Sequence, residues 1–154
     1  MIAITPATPD DLQRLTALEK ELFTTDRISR RQFRYLLTRA NCLIVKAESG
    51  SSFLGYMVLL RRKNSRKLRL YSIAVATHAR KQGVAGSMLG YAEQVATQRC
   101  NCNRISLEVC EENEAALRLY ENAGYVACGR KEDYYEDGCT ALLMQKRLLT
   151  ESSR

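Results

Sequence analysis

Leu70-Tyr71-Ser72-Ile73-Ala74-Val75 reads as an apolar strand, and Arg80-Lys81-Gln82-Gly83-Val84-Ala85-Gly86 leads from it into a helix running from residue 83 to about 98. A glycine-containing turn at a helix N-terminus leaves backbone N–H groups without intrahelical partners. Those donors, with the positive end of the helix dipole, attract phosphate oxygens. The order strand, basic glycine turn, helix is therefore a phosphate-binding arrangement. It is not the Walker pattern G-x-x-x-x-G-K-[ST], nor the dinucleotide pattern G-x-G-x-x-G, since the chain contains neither.

Working outward, Ile105, Leu107 and Val109 alternate with Ser106, Glu108 and Cys110, which predicts a second strand. Strand, helix, strand over this length implies a right-handed crossover between parallel strands. The helix carries Val84, Met88, Tyr91, Ala92 and Val95 on one stripe. Gly86 and Gly90, four apart, read as positions of close packing on the sheet. Upstream, residues 42–47 and 53–60 form a hairpin about Glu48-Ser49-Gly50-Ser51-Ser52, and Lys63-Asn64-Ser65-Arg66 turns the chain into the next strand. That strand changes phase: Leu68 and Leu70 lie on one alternation, Tyr71, Ile73 and Val75 on the other. A β-bulge near Leu70-Tyr71 accounts for this, and so does a strand buried on both faces.

The ends complete an alternating α/β chain without repeats. Residues 2–5 form a strand. Thr8, Pro9 and Asp11 then start a helix bearing Leu12, Leu15, Leu18 and Leu22. A loop, Phe23-Thr24-Thr25-Asp26-Arg27-Ile28, precedes a second start at Ser29, where Gln32 completes a capping box and Phe33, Leu36 and Leu37 form the apolar face. Asn113 caps a helix with Ala116, Leu117, Tyr120 and Ala123 on one face, ended by Gly124. Strands 125–129 and 140–146 follow, joined through Tyr134-Tyr135-Glu136-Asp137-Gly138. Residues 1–150 read as one domain and residues 151–154 as a frayed tail.

Composition narrows the classes. The chain has 154 residues, 45% hydrophobic and 27% charged, which suits one soluble domain with a proper core. No apolar run approaches the ~20 residues that span a bilayer. The N-terminus lacks a secretory pattern, so a cytoplasmic location and six reduced Cys are expected. Cys100-Asn101-Cys102 and the single His78 do not make a zinc set, so no metal is expected. The net charge of +7 concentrates in Arg27, Arg30, Arg31, Arg34 and Arg39, then in Arg61, Arg62, Lys63, Arg66, Lys67 and Arg69. These read as solvated faces or as a field for an acidic partner. Aromatic residues do not interleave with them, which argues against a nucleic-acid stacking platform.

Two side chains stand out chemically. Glu108 is a lone carboxylate on an inner strand, either functional or one half of a structural ion pair. Tyr120 points inward, either as a packed core tyrosine or as a proton donor. Cys110 shares the face of Glu108, but no His is in sequence reach to activate it.

Three motifs then combine. Arg80-x-x-Gly83-x-Ala85 resembles the pyrophosphate loop [RQ]-x-x-G-x-[GA] of the GNAT superfamily of N-acetyltransferases. The segment from Leu107-Glu108-Val109 through Asn113, Ala116, Leu119-Tyr120 and Gly124-Tyr125 resembles the signature of the RimI-type amino-terminal acetyltransferases. So does Tyr134-Tyr135-x-x-Gly138-x-x-Ala141-x-x-Met144.

The resemblance implies a single GNAT-like α/β domain. Its sheet would be mixed, mostly antiparallel, and splayed at two central parallel strands, with about four helices. Acetyl-CoA would be the cosubstrate. The backbone of Ile73, Ala74 and Val75 would pair with the pantetheine arm. Arg80, Lys81, Gln82, Gly83, Val84, Ala85 and Gly86 would hold the pyrophosphate, and Asn113 would touch the cofactor besides capping its helix. Glu108 would be the general base, through a water, and Tyr120 would protonate the departing thiolate. Tyr134 and Tyr135 would line the acceptor cleft. The implied acceptor is a protein or peptide α-amino group. A lysine side chain or small amine is the first alternative, and a non-catalytic acyl-CoA-binding or RNA-associated module is the alternative from another class.

The sequence departs from the RimI pattern twice. Cys139 and Thr140 stand where an acidic pair commonly follows the glycine, and the first interhelical loop lacks its usual Trp. Both departures flank the acceptor side.

Overall fold

The computed structural model describes residues 1–149. The tail expected at 151–154 lies outside the described residues. β1 (Ala3–Pro6), β2 (Cys42–Ser49), β3 (Ser52–Arg61) and β4 (Lys67–Val75) form an antiparallel run. β5 (Arg104–Cys110) lies parallel to β4, and β7 (Ala141–Arg147) and β6 (Val126–Lys131) continue antiparallel from it. The order in this seven-stranded sheet is β1-β2-β3-β4-β5-β7-β6. Four helices accompany it: α1 (Leu12–Leu22), α2 (Arg30–Thr38), α3 (Val84–Gln94) and α4 (Glu114–Asn122).

Local chemistry sets the helix starts. Thr8 and Asp11 close a capping box over a short 3-10 turn before α1. Ser29 Oγ accepts from Gln32 N–H while Gln32 Oε1 accepts from Ser29 N–H, which fixes the start of α2. Asn113 Oδ1 accepts from Ala116 N–H at 3.2 Å to cap α4, and Gly124 ends that helix at φ +98°.

α3 is shorter than the sequence predicts. After Gln94 the chain widens into a π turn, Val95–Arg99, closed by Cys100 N–H on the Val95 carbonyl at 3.1 Å. Gly86 and Gly90 do not pack on the sheet: a Cβ at either would meet nothing within 4 Å. The buried stripe of α3 is Val84, Met88, Leu89 and Ala92, so the glycines lie on the other side of the helix.

The phase change in β4 is a bulge. Val58 pairs with Ser72 and Leu59 with Leu70, leaving Tyr71 as the extra residue. The same strand parts from its parallel neighbour at that point. β4 and β5 pair only from Lys67↔Arg104 to Leu70↔Leu107, and beyond Leu70 β4 pairs with β3 alone. The sheet is therefore split between β4 and β5 at their C-terminal ends. Gly55 of β3 lies close against this part of β4, where a Cβ would sit 2.3 Å from the Ala74 carbonyl oxygen.

Candidate active site

The phosphate turn has the backbone that anion binding needs. Lys81 has φ +63° and Gly83 has φ +81°, so the chain alternates hand just before α3. Such an alternation turns successive N–H groups into one concavity. The first internal bond of α3 is from Ser87 N–H to the Gly83 carbonyl, so the N–H groups of Val84, Ala85 and Gly86 precede the helical ladder. No side chain caps this terminus. Arg80, Lys81, Gln82, Gly83 and Gly86 are exposed around it, and nothing lies within 4 Å of the missing Cβ of Gly83 or Gly86.

Beside this turn runs the open edge of β4. Ile73, Ala74 and Val75 bond to β3 on one side and face the split on the other. An extended ligand arm can add to such an edge as a strand does. The free edge leads toward the N–H concavity, and the two together suit a ligand with an amide-bearing arm and a phosphate group.

Across the split stands Glu108, the first β5 residue beyond the paired stretch. Its carboxylate is held by Arg69, with Nε 3.2 Å from Oε2 and Nη2 3.1 Å from Oε1. Arg69 Nη2 also donates to Tyr134 Oη at 3.3 Å, and its guanidinium stacks 5.2 Å from the Tyr71 ring centre. The bulge residue, the base candidate and Tyr134 of the β6–β7 loop are thus joined through one arginine. Sequence reading missed Arg69 because it was grouped with the surface cations. The signal was its register opposite Ser106, two residues before Glu108.

Tyr120 is buried, its ring edge-on to Tyr125 at 5.8 Å. Burial, and after it the neighbouring Tyr135, push its phenol well above the ordinary tyrosine value. It therefore keeps its proton at neutral pH, which suits a donor. Tyr135 is pushed up to about 12 by burial, then by Tyr134, Glu108 and Asp26, with Arg69 opposing. These effects place Tyr135 among Tyr120, Tyr134 and Glu108. Asn113 is exposed at the start of α4, its oxygen committed to the cap and its amide nitrogen left to donate.

Two loops meet near this end of the split. Tyr134 and Tyr135 pack edge to face at 4.9 Å, and both backbone N–H groups point at the Cys139 carbonyl, 3.3 Å away. Glu136 N–H reaches Asp26 Oδ2 at 3.2 Å and so joins the β6–β7 loop to the α1–α2 loop. The α1–α2 loop is itself anchored by buried Glu19, which accepts from Ile28 N–H at 2.8 Å and from Tyr56 Oη.

The expectation of six free thiols is wrong for two of them. Cys110 and Cys139 form a disulfide with Cα atoms 5.9 Å apart. The pairing of Cys110 with Ala141 brings β7 alongside β5, and Cys139 lies two residues before it. A separation of 29 residues hid this in the sequence. Cys110, Glu112 and Cys139 place three donor atoms within 4.8 Å of one another, but the bonded sulfurs leave no thiolate for an ion.

Residues 10–125 match the acetyltransferase (GNAT) family. The chain belongs to that family. It is an N-acetyltransferase of the GNAT type, and the non-catalytic reading falls away. Among curated proteins it is 31% identical to an uncharacterized N-acetyltransferase of Methanocaldococcus jannaschii, over 89% of this chain and 86% of that one. It is 28% identical to the N-terminal acetyltransferase A complex catalytic subunit of Arabidopsis thaliana, over 96% of this chain and 79% of the relative. The ribosomal-protein-alanine N-acetyltransferase of Escherichia coli shares the fold, with a TM-score of 0.83 at 21% identity, covering 96% of this chain and 94% of its own. Among the described residues, no helix is long and apolar enough to cross a membrane.

Proposed function

We propose that this protein moves the acetyl group of acetyl-CoA to the α-amino group of a protein or peptide N-terminus. The observation that carries the reading is the position of Glu108. It sits at the first step of the β4–β5 split, opposite the open edge of β4, and Arg69 links it to Tyr134 on a loop that touches the α1–α2 loop. A cleft flanked by two joined loops admits a chain end more readily than a residue within a folded surface. The relative from Arabidopsis thaliana, an N-terminal acetyltransferase subunit by name, supports the same acceptor class.

In this reading the backbone of Ile73, Ala74 and Val75 holds the pantetheine arm, and an N–H from this stretch polarises the reacting carbonyl. Arg80, Lys81, Gln82, Gly83, Val84, Ala85 and Gly86 hold the pyrophosphate, and Asn113 donates its free amide hydrogens to the cofactor. The cosubstrate supplies an activated acetyl thioester. Glu108 takes a proton from the amine through a water, with Arg69 fixing the carboxylate. An α-amino group, with an ordinary pKa of about 7.7–8.0, asks less of that base than a lysine at about 10.4. Tyr120 returns a proton to the leaving sulfur. Tyr134 and Tyr135 form a wall of the acceptor cleft.

A thermal melt with acetyl-CoA, followed by an acetylation screen, tests this in two stages. Saturation at ~100 times Kd adds roughly 2.7 kcal/mol. That raises Tm by about 5–10 °C for a domain of this size, and Gly83→Glu abolishes the rise. Acetylation of peptide N-termini is expected in the screen. A shift without N-terminal acetylation, but with acetylation of lysine or small amines, overturns the acceptor assignment and keeps the chemistry.

A further inference from the structure

At the end of the sheet remote from the split lies a second cavity, of about 660 Å³. It opens between the start of β2, the end of β3, the start of β4 and the π turn after α3. Leu68 lines it, and Val75 at the split is seven residues along the same strand, a separation of roughly 20 Å. The volume lies within the range that holds a small organic molecule.

Its chemistry is two-part. Half-buried Leu43 and Cys42 form its apolar side, and the core residues Leu59, Leu68 and Val95 close its base. Burial pushes the Cys42 thiol up to about 11, so it is a neutral wall at physiological pH. Around the mouth stand Arg39, Arg61, Lys63 and Arg99. Among the described residues none of these four makes an ion pair with a carboxylate. Arg39 bonds to Asn41 and Tyr35, and Arg61 to the Ser65 carbonyl, all neutral groups. Seven ion pairs occur elsewhere in the described chain, so acidic partners are available to other cations and withheld here. Like charges gathered without compensation raise the local potential and attract an anion. The π turn contributes directly, since Val95 faces the base and Arg99 the mouth. Such widened turns recur at functional sites.

We propose that this cavity binds a soluble amphipathic anion, an aliphatic chain ending in a carboxylate, with the chain on the apolar side and the carboxylate among the four cations. This site is independent of the acetyl-transfer reading, and it gives a role to Arg39, Arg61 and Lys63 of the two basic clusters.

The test is calorimetric titration of the whole chain with dodecanoate below its micelle concentration, with uncharged dodecyl glucoside as the control. Saturable one-site binding of dodecanoate is expected, at least about tenfold tighter than the glucoside. Arg99→Glu combined with Lys63→Glu, both exposed positions, weakens it at least about tenfold. Cys100→Trp, a half-buried lining residue, fills the mouth and removes binding while the protein still melts cooperatively. Dodecanoate also shields Cys100 from alkylation, and unchanged labelling of Cys100 counts against the site. Absence of saturable binding overturns the proposal, and so does equal affinity for the glucoside or binding untouched by both variants. Co-sedimentation with phosphatidylglycerol vesicles without binding of monomeric dodecanoate also overturns it, and assigns the cations to a lipid surface.

Discussion

Arg69 grips both carboxylate oxygens of Glu108, Nε to Oε2 at 3.2 Å and Nη2 to Oε1 at 3.1 Å, from the strand that parts from β5 one residue further on. The base candidate is therefore oriented by the element that forms the opposite lip of the split. Glu108→Gln is expected to lower kcat by about 10²–10⁴-fold while leaving the acetyl-CoA melting shift intact. Arg69→Gln releases the carboxylate and Tyr134 together, so it raises the acceptor KM more than it lowers kcat. Steady-state kinetics from pH 5 to 10 distinguish the two. Unchanged kcat in Glu108→Gln returns that residue to a purely structural ion pair.

Tyr120 holds its proton far above neutrality because it is buried and faces Tyr135. Tyr120→Phe keeps the packing and removes the donor, so it is expected to lower kcat by about 10²-fold or more with little change in Tm. The wild-type profile should show no falling limb from this residue below about pH 10. A limb near pH 8 that Tyr120→Phe removes would contradict the assignment.

The acid stability of the fold resides partly in Asp11. Burial opposes its ionisation, but the Thr8 N–H, Arg14 and Lys46 more than offset this and hold its carboxyl below the ordinary 3.8. The unfolded chain therefore binds the proton more readily. The contribution is complete above pH 3.8 and is lost as pH falls through the lower native value. Asp11→Asn should cost about 3 kcal/mol at pH 7 and flatten the acid side of the stability curve, read by urea melts at several pH values.

Reduction of Cys110–Cys139 should loosen one wall of the cleft rather than the cofactor site. The bond ties the Tyr134–Tyr135 loop to the end of β5. Its loss, by dithiothreitol or Cys139→Ser, is expected to cost about 2–4 kcal/mol and to raise the acceptor KM while the acetyl-CoA KM stays put. Equal changes in both constants would disprove this division.

Gly55→Ala should be costly out of proportion to its size. The added methyl lies 2.3 Å from the Ala74 carbonyl, so β3 and β4 must separate beside the open edge of β4. Weaker acetyl-CoA binding with a lower Tm is expected, by melting and calorimetry.

Much of this fold was readable because local rules agreed with the global one. The capping pairs Thr8–Asp11 and Ser29–Gln32, the cap at Asn113 and the alternation about Glu108 all stand as their spacing dictates. The bulge at Tyr71 was one of two readings, and only the register against β3 separates it from a doubly buried strand. What escaped was long-range. Arg69 meets Glu108 across 39 positions, Asp26 meets Glu136 across 110, and Cys110 meets Cys139 across 29. No periodicity encodes such meetings. The misreading of Gly86 and Gly90 has another cause: small residues four apart signal close approach, but not whether the approaching body is a sheet or solvent.

The β4–β5 ladder spans only Lys67 to Leu70 against Arg104 to Leu107, yet among the described residues it is the one strand pairing that joins the β1–β4 half of the sheet to the β5–β7–β6 half. Strands β2 to β4 are successive neighbours, whereas the ladder waits on a crossover of 28 residues, 76–103, through α3. In kinetic terms the N-terminal meander can assemble early and the seam must close late. The same seam is then the natural line of sub-global opening in the native protein, and amide exchange along β5 should report breathing of the whole wedge. Anything that bridges the two lips would therefore act as a mechanical clamp on the molecule as well as a reactant.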